Sequence, residues 1–203
     1  LGDVYKRQLV TCEAYRVPVT ILLAKADLAA QNPEAVAAFK ATYESAGYSV
    51  LEVSALDGTG IEAVRELLKG HTTLLAGNSG VGKSTLAGTI EPGLDIRTGD
   101  ISESHRKGRH TTTFSTMYPL SSGGYLIDTP GIKGFGLIDI DDAELWHYFP
   151  EMMRVAPECR FYNCTHTHEP GCAVVEAVRE GKIAYARYES YLKILDEDEK
   201  YRK

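Results

Sequence analysis

The sequence has no apolar run long enough to cross a membrane. Hydrophobic residues make up 43% of the 203 residues and charged residues 25%. No stretch approaches the roughly 20 consecutive apolar residues that a spanning helix needs. The first residues also lack the basic, apolar and small-residue order of a secretory signal. These absences predict a cytoplasmic protein.

An excess of positive charge is lacking as well. The chain has 22 lysines and arginines against 28 aspartates and glutamates, which gives a formal net charge of −6. This balance excludes a protein whose whole surface binds nucleic acid. One local basic stretch, HRKGRH, runs from His105 to His110, and its simplest interpretation is a solvated loop.

Cysteine is scarce, and its placement is uneven. Three of the four cysteines and one histidine follow the spacing C-x₄-C-x-H-x₅-C. Three thiolates and an imidazole make a closed tetrahedral set suited to structural zinc, whereas disulfides in a secreted protein are the competing interpretation. His168 is a second histidine within reach, and the isolated Cys12 fits a small buried residue. The candidate ligands are Cys159, Cys164, Cys172 and one of the two histidines, His166 or His168.

Strand and helix patterns alternate through the first two thirds of the chain. Strand-like apolar runs in VTILLAKADL, YSVLEVSAL and TTLLAGNSG are separated by helical stretches, one with Asn32 as its cap, Pro33 in its first turn and Gly47 as its stop. This alternation predicts an α/β fold with a doubly wound, mainly parallel sheet. The length allows a domain of about 150 residues and a smaller one.

Three segments are predicted along the chain. Residues 1–8 fit no pattern and are expected to be a scar or disordered. Residues 9–140 form the α/β domain, whose later part includes a strand pair joined by the turn SSGG. Residues 141–203 read as a helical domain that contains the cysteine cluster.

The stretch GNSGVGKS has the complete spacing of a phosphate-binding loop, with a strand-like TTLLA before it and a helical STLAGTI after it. Its backbone N–H groups and the helix N-terminus attract an anion. Lys83 would reach the β- and γ-phosphates, and Ser84 would bind Mg²⁺. The alternative is a glycine turn with a surface lysine. The predicted binding residues are Gly77, Asn78, Ser79, Gly80, Val81, Gly82, Lys83, Ser84 and Thr85.

The motif DTPG directly follows the apolar strand YLI, and it lies about 45 residues after the phosphate-binding loop. Asp128 can hold Mg²⁺ through water, and the N–H of Gly131 can meet the γ-phosphate. A Pro-Gly turn after a strand is the alternative.

A base-reading element precedes the phosphate loop. In LLAKADL, the two oxygens of Asp27 can accept from guanine N1–H and N2–H₂, while the stem of Lys25 packs along the base. In VSAL, at Ser54 and Ala55, a backbone N–H could meet guanine O6. Base-reading parts upstream of the phosphate loop indicate a circularly permuted GTPase domain, which is tolerable when the original termini lie close together.

Together these motifs resemble the ribosome small-subunit-dependent GTPase A (RsgA, YjeQ or EngC) family. The resemblance rests on KAD before GNSGVGKS, then GRHTTT, DTPG followed by KGFGL, and CRFYNCTHTHEPGC. It implies a GTP hydrolase that acts with the small ribosomal subunit and its 16S rRNA, and it assigns the zinc-ligand role to His166. Family members typically begin with an OB-fold domain, which we expect to be missing from this sequence.

The resemblance also directs attention to the segment between the phosphate loop and DTPG. One threonine, Thr112 or else Thr111, is expected to complete the Mg²⁺ shell. Ile132 stands where many GTPases carry the glutamine that orients water, so slow intrinsic hydrolysis is expected. The family assigns the missing role to a histidine that matches His110, whereas an ordinary surface histidine is the alternative.

Ala24 departs from the family pattern, because relatives usually carry Asn or Thr there. Loss of one such hydrogen bond predicts weaker nucleotide binding, by about 0.5–1.5 kcal/mol.

Two other functions remain open: an RNA- or ribosome-binding zinc module with a weakened nucleotide site, and an ATPase, which Asp27 argues against. A monomer is the expected state.

Overall fold

The computed structural model describes residues 3–78, 80–94, 116–128 and 140–201. Short 3₁₀ helices lie at Ala26–Gln31, Leu145–Tyr148 and Ala156–Glu158. The alternation of strands and helices confirms the predicted α/β class. The helices and strands of these ranges are α1 (Asp3–Ala14), β1 (Thr20–Ala24), α2 (Pro33–Ala46), β2 (Ser49–Val53), α3 (Ile61–Leu68), β3 (Thr72–Leu75), α4 (Lys83–Ile90), β4 (Thr116–Pro119), β5 (Tyr125–Asp128), α5 (Pro150–Val155), α6 (Ala173–Arg179) and α7 (Tyr185–Tyr201).

Among the described helices, none combines the length and the apolar character that crossing a bilayer requires.

The described strands form two sheets, one of β1 and β2 and one with the order β3-β5-β4. β5 runs parallel to β3, with Leu75 opposite Asp128, and antiparallel to β4, with Pro119 opposite Tyr125. The predicted strand pair around SSGG is therefore present. Because β3 and β5 are parallel, their carboxyl ends meet at one edge of the sheet, where the phosphate loop and DTPG begin.

Helix α2 begins and ends where its sequence predicts. The side chain of Asn32 accepts from the N–H of Ala35 at 3.2 Å, and Pro33 is the first helical residue. The helix stops at Gly47, which adopts the left-handed conformation and donates its N–H to the carbonyl of Glu44. These signals are local, which is why the sequence alone predicts the helix bounds.

Helix α1 begins within the first predicted segment. Residues 1–8 were expected to be a scar or disordered, and residues 3–8 lie in α1, which begins at Asp3; that these residues are a scar stays a prediction. Leu9 and Val10 of this helix are buried. Burial of these apolar side chains stabilises α1, which the sequence pattern of this segment does not predict.

The chain divides into two compact units that do not follow its order. The first contains the described residues within Leu1–Ile21, Gln31–Leu51 and Gly134–Lys203, and the second those within Leu22–Ala30 and Glu52–Lys133. The first unit therefore groups α1 and α2 with the three C-terminal helices. The division of the chain into domains at residue 140 stays a prediction.

The core of the first unit is built mainly by the C-terminal helices. Phe149 packs edge-on against Tyr191 with ring centroids 5.6 Å apart, and two cysteines of the predicted metal cluster lie in the same core. Its buried members are Val10, Ile140, Leu145, Phe149, Met152, Ala156, Cys164, Cys172, Val174, Ala177, Ile183, Tyr188, Tyr191 and Ile194.

A buried ion pair joins α5 to α7. Nε of Arg187 donates to Oε1 of Glu151 at 2.6 Å and Nη2 to Oε2 at 3.3 Å, and the two side chains are 1% and 4% exposed. The guanidinium also lies over the rings of Phe149, Tyr43 and Tyr48, at 4.8, 5.6 and 5.5 Å from their centroids. The pair therefore packs against α2 and the residue that follows it toward β2.

A second arginine caps the carboxyl end of α2. Nη2 of Arg154, on α5, donates to the carbonyl of Ser45 at 2.6 Å, and Nη1 donates to that of Ala46 at 3.2 Å. The last carbonyls of a helix lack partners within the helix and attract a cation. This contact explains why α2 belongs to the same compact unit as the C-terminal helices.

The second unit packs two helices side by side. The buried face of α3 carries Ile61, Val64 and Leu68, and that of α4 carries Leu86, Ala87 and Ile90. The two helices are in contact. Each follows a loop of the candidate nucleotide site, so their packing bears on the geometry of that site.

Replacing Glu151 by Ala should unfold the first unit more readily, because it leaves the Arg187 guanidinium buried without its carboxylate. The expected loss in free energy of unfolding is about 3–5 kcal/mol, measured by urea denaturation. Glu176→Ala is the matched control, since Glu176 pairs with Arg179 at the surface and should cost under about 1 kcal/mol. Equal effects of the two substitutions would contradict the prediction.

Candidate functional site

Asp27 and Ser54 come together in the second unit, 27 residues apart in sequence. The Ser54 hydroxyl donates to Oδ1 of Asp27 at 2.7 Å, and its oxygen accepts the N–H groups of Leu56 and Asp57 at 3.2 and 3.4 Å. Ser54 itself is 1% exposed. One buried hydroxyl therefore fixes the carboxylate predicted to read the base and the loop that carries Ala55.

The chain turns sharply between β1 and Asp27. β1 ends at the half-buried Ala24, and Lys25 adopts a left-handed backbone with φ 63°. The carbonyl of Lys25 accepts from Leu28 at 2.9 Å. This turn leaves the Lys25 side chain exposed beside Asp27, and a left-handed non-glycine residue is typical of functional loops.

The phosphate loop lies between β3 and the first turn of α4. Gly80 and Gly82 take φ values of 78° and 102°, which L side chains rarely adopt, and Gly82 directly precedes the helix. Nζ of Lys83 donates to the carbonyls of Gly77 and Asn78 at 2.8 and 3.0 Å. Ser84 and Thr85 follow in the first turn of α4. A left-handed turn at a helix N-terminus is a general anion-binding arrangement.

Several predicted site residues lie outside the described residues: Ser79, His110, Thr111, Thr112, Gly131 and Ile132. Asp128 is described through its backbone alone, as the last residue of β5. Their roles remain predictions.

The first unit contains a second candidate site, a metal centre. The ligand atoms of Cys159, Cys164, His166 and Cys172 lie within 4.8 Å of one another. Nδ1 of His166 is 3.6 Å from Sγ of Cys159 and 3.5 Å from Sγ of Cys172, and those two sulfurs are 4.0 Å apart. The structure thus brings together all four predicted ligands, which could hold a metal ion.

The three distances among Cys159, His166 and Cys172 are close to those around a tetrahedral ion. Bonds of about 2.3 Å to sulfur and about 2.0 Å to nitrogen place the ligand atoms about 3.5–3.8 Å apart. The same separations exclude a disulfide between Cys159 and Cys172, whose sulfurs would bond at about 2.05 Å. All four cysteines of the chain are free. The competing interpretation of the cluster as disulfides is therefore wrong.

Burial shifts the protonation equilibria of three members of the cluster. Burial raises the pKa of the Cys164 thiol to about 12 and raises that of Cys172, so both thiols need an adjacent cation to ionise at neutral pH. Burial lowers the pKa of His166, which favours the neutral imidazole that binds metal. N–H groups of Ala173 and Val175 point to the sulfurs of Cys159 and Cys172, at 3.3 and 3.4 Å.

Two tyrosines of α7 bond to the backbone of the loop that carries the metal cluster. No sequence motif predicted this role. The Tyr188 hydroxyl donates to the carbonyl of His166 at 2.7 Å, and that of Tyr191 donates to the carbonyl of Thr165 at 2.6 Å. His166 has a left-handed φ of 59°. The tyrosines therefore help to keep the histidine in a strained conformation. Their only signal in the sequence is a three-residue spacing on a helix.

His168 is not part of the cluster. Its side chain is exposed, and its Nδ1 lies 2.8 Å from the hydroxyl of Thr167. Cys12 lies on α1, and it does not belong to the Cys/His cluster found among the described residues.

Replacing His166 by Ala should remove the metal, because a tetrahedral site then keeps three ligands of four. The wild type should contain about one ion per chain, and the variant far less, measured by elemental analysis after purification with zinc. His168→Ala is the matched control and should retain the metal. Loss of metal from the control alone would contradict the ligand assignment.

A family model and curated relatives match most of this chain. A family model described as RsgA GTPase matches residues 3–138. The chain is 52% identical over 202 residues to the small ribosomal subunit biogenesis GTPase RsgA of Porphyromonas gingivalis, and 50% identical over 199 residues to that of Bacteroides fragilis. Both matches cover 97% of this chain, which spans 64% of the length of each relative.

Solved structures agree with the sequence matches. YjeQ from Thermotoga maritima superposes with a TM-score of 0.81 at 36% identity, over 97% of this chain and 66% of its own. YloQ, described as a circularly permuted GTPase, gives a TM-score of 0.76 at 29% identity, over 100% of this chain and 64% of its own. The resemblance inferred from the motifs is confirmed: the chain belongs to the RsgA GTPase family.

Proposed function

We propose that the protein is a GTP hydrolase that acts as an assembly factor of the small ribosomal subunit, converting GTP and water to GDP and phosphate. The observation that carries this proposal is the second compact unit, which contains both Asp27, held by the Ser54 hydroxyl, and the phosphate loop at the start of α4. The names of the relatives from Porphyromonas gingivalis and Bacteroides fragilis support the ribosomal role.

Guanine selection rests on Asp27. With Oδ1 bonded to Ser54, the carboxylate is fixed before a base arrives, so little side-chain entropy is lost on binding. Its oxygens accept from guanine N1–H and N2–H₂, a pair of donors that adenine lacks. The stem of Lys25 covers the base plane, and the N–H of Ala55 is the donor proposed for O6. The upstream position of these groups is consistent with circular permutation.

The phosphates bind at the loop from Gly77 to Ser84. Lys83, which now bonds to two loop carbonyls, would turn toward the β- and γ-phosphates. Mg²⁺ would be held by the hydroxyls of Ser84 and Thr112 and, through water, by Asp128. The ion would neutralise charge that develops on the phosphate oxygens.

Hydrolysis depends on groups around the γ-phosphate. The N–H of Gly131 would bond to a γ-phosphate oxygen, and His110 would orient the attacking water. Ile132 cannot take that role, because its side chain has no polar atom. Slow intrinsic turnover follows from the lack of a polar group at Ile132, and its stimulation by the ribosome is proposed from membership of the family.

The metal centre is proposed to be structural zinc. Three sulfurs and one imidazole fill a tetrahedron and leave no position for a substrate. The ion would bind the loop from Cys159 to Cys172 to the core of the first unit, where Cys164 and Cys172 are buried. The proposal also includes a monomer in the cytoplasm that binds 16S rRNA in the small subunit.

The test is a calorimetric titration of the protein with GDP and with ADP in Mg²⁺ buffer. Binding of GDP without binding of ADP supports the guanine site, and ribosome-stimulated GTP hydrolysis is then the decisive assay. Binding of ADP would favour the ATPase alternative. Binding of neither nucleotide, together with RNA binding, would favour a zinc-containing RNA-binding module.

Replacing Asp27 by Asn should shift base preference from guanine to xanthine. An amide presents a donor where guanine needs an acceptor, whereas xanthine carries a carbonyl in place of the N2 amino group. The expected change is at least about tenfold in the ratio of GDP to XDP affinity. Competition with a fluorescent nucleotide measures it. An unchanged ratio would refute the role of Asp27.

Replacing Ala24 by Asn should tighten nucleotide binding. An added side-chain hydrogen bond to the base-reading loop is worth about 0.5–1.5 kcal/mol, or about twofold to twelvefold in affinity. Calorimetry with GDP measures the change, and Ala24→Val serves as a control without a donor. Equal affinities of the Asn variant and the wild type would contradict the prediction.

A further inference from the structure

Arg65, on α3, bonds to the last carbonyls of α4. Its Nε donates to the carbonyl of Ile90 at 2.9 Å, and its Nη2 donates to that of Thr89 at 2.9 Å. Its Nη1 pairs with Glu62 on the same helix. Carbonyls at a helix end lack partners within the helix and carry partial negative charge, so this guanidinium is well matched to the end of α4.

α3 is attached tightly to the base-reading loop. The N–H of Ser54, whose hydroxyl holds Asp27, donates to the carbonyl of Thr59 at 2.9 Å. Gly60, with φ 72°, precedes the helix, and a Cβ there would overlap the carbonyl oxygen of Glu52. The loop therefore passes into α3 through a close-packed turn, which ties the position of the loop to that of the helix.

α4 is attached in the same way to the phosphate loop, since the helix begins at Lys83. Each helix has a buried apolar face, and the two helices are in contact. The hydrophobic effect is itself non-directional. Two hydrogen bonds from one planar guanidinium to successive carbonyls do set the axial position.

We propose that Arg65 is a positioning residue that fixes the separation between the base-reading loop and the phosphate loop. The proposal rests on the guanine-nucleotide site proposed above. A nucleotide that fills both loops gains affinity because, once its base is bound, its phosphates meet the second loop at high effective concentration. That gain in affinity requires the distance between the two loops to match the length of one nucleotide. The affinity for guanosine does not depend on this distance, because guanosine has no phosphate.

The experiment compares GDP and guanosine on the whole protein. Calorimetry gives the GDP affinity, and ligand-observed NMR gives the weaker guanosine affinity. Arg65→Ala should weaken GDP binding about fivefold to thirtyfold, the loss expected for two hydrogen bonds, and leave guanosine affinity unchanged. Arg65→Lys should show a smaller loss, because an ammonium lacks the planar fork.

Lys69→Ala is the matched control. Lys69 lies one residue beyond α3, and its ammonium pairs with Glu66 at the surface at 3.7 Å. Its removal should change neither affinity. Circular dichroism establishes that each variant is folded, and if Arg65→Ala is not, the ratio of GDP to guanosine affinity in Arg65→Lys decides.

A parallel loss of GDP and guanosine affinity would overturn the proposal, because it would mean that Arg65 merely supports the base-reading loop. Unchanged GDP affinity in folded Arg65→Ala would overturn it as well. Failure of the proposed function is seen separately, in the wild type: a protein that binds neither ligand has no guanine site, and the inference then falls with it.

Discussion

The buried pairing of Arg187 with Glu151 is the contact on which the first compact unit depends. A guanidinium that is 1% exposed is tolerated only because a carboxylate meets two of its nitrogens and three aromatic rings surround it. Two of those rings belong to Tyr43 and Tyr48, far from α7 in sequence. Loss of the carboxylate would leave this charge buried without a counterion, so the pairing ties α5 and α7 to the rings of Tyr43 and Tyr48.

The metal cluster extends the same core. Cys164 and Cys172 are buried among its apolar members, and the hydroxyls of Tyr188 and Tyr191 hold the loop backbone from α7. A segment of this length cannot bury enough apolar surface to order itself. The loop is ordered by its packing on α7. Under the proposed function, bonds from its side chains to zinc order it further, where few apolar side chains are available.

The second unit contains both loops of the proposed nucleotide site, the base-reading loop and the phosphate loop. The Ser54 hydroxyl fixes the carboxylate of Asp27, and Lys83 begins the helix after the phosphate loop. The helices that follow the two loops are in contact and are joined at one end by Arg65. Circular permutation leaves this arrangement intact because binding depends on where groups lie in space, not on their order along the chain.

The sequence by itself determined the features whose cause is local. Asn32 and Gly47 set the ends of α2 because their bonds reach three residues, and the spacing of the cysteine cluster predicted four residues that the structure brings together. The tertiary structure decided the partners: the hydroxyl of Ser54 for Asp27, the carboxylate of Glu151 for Arg187, and α1 over residues predicted to be disordered. Such pairs are separated by tens of residues, and burial and directional bonds select them only once the chain has folded.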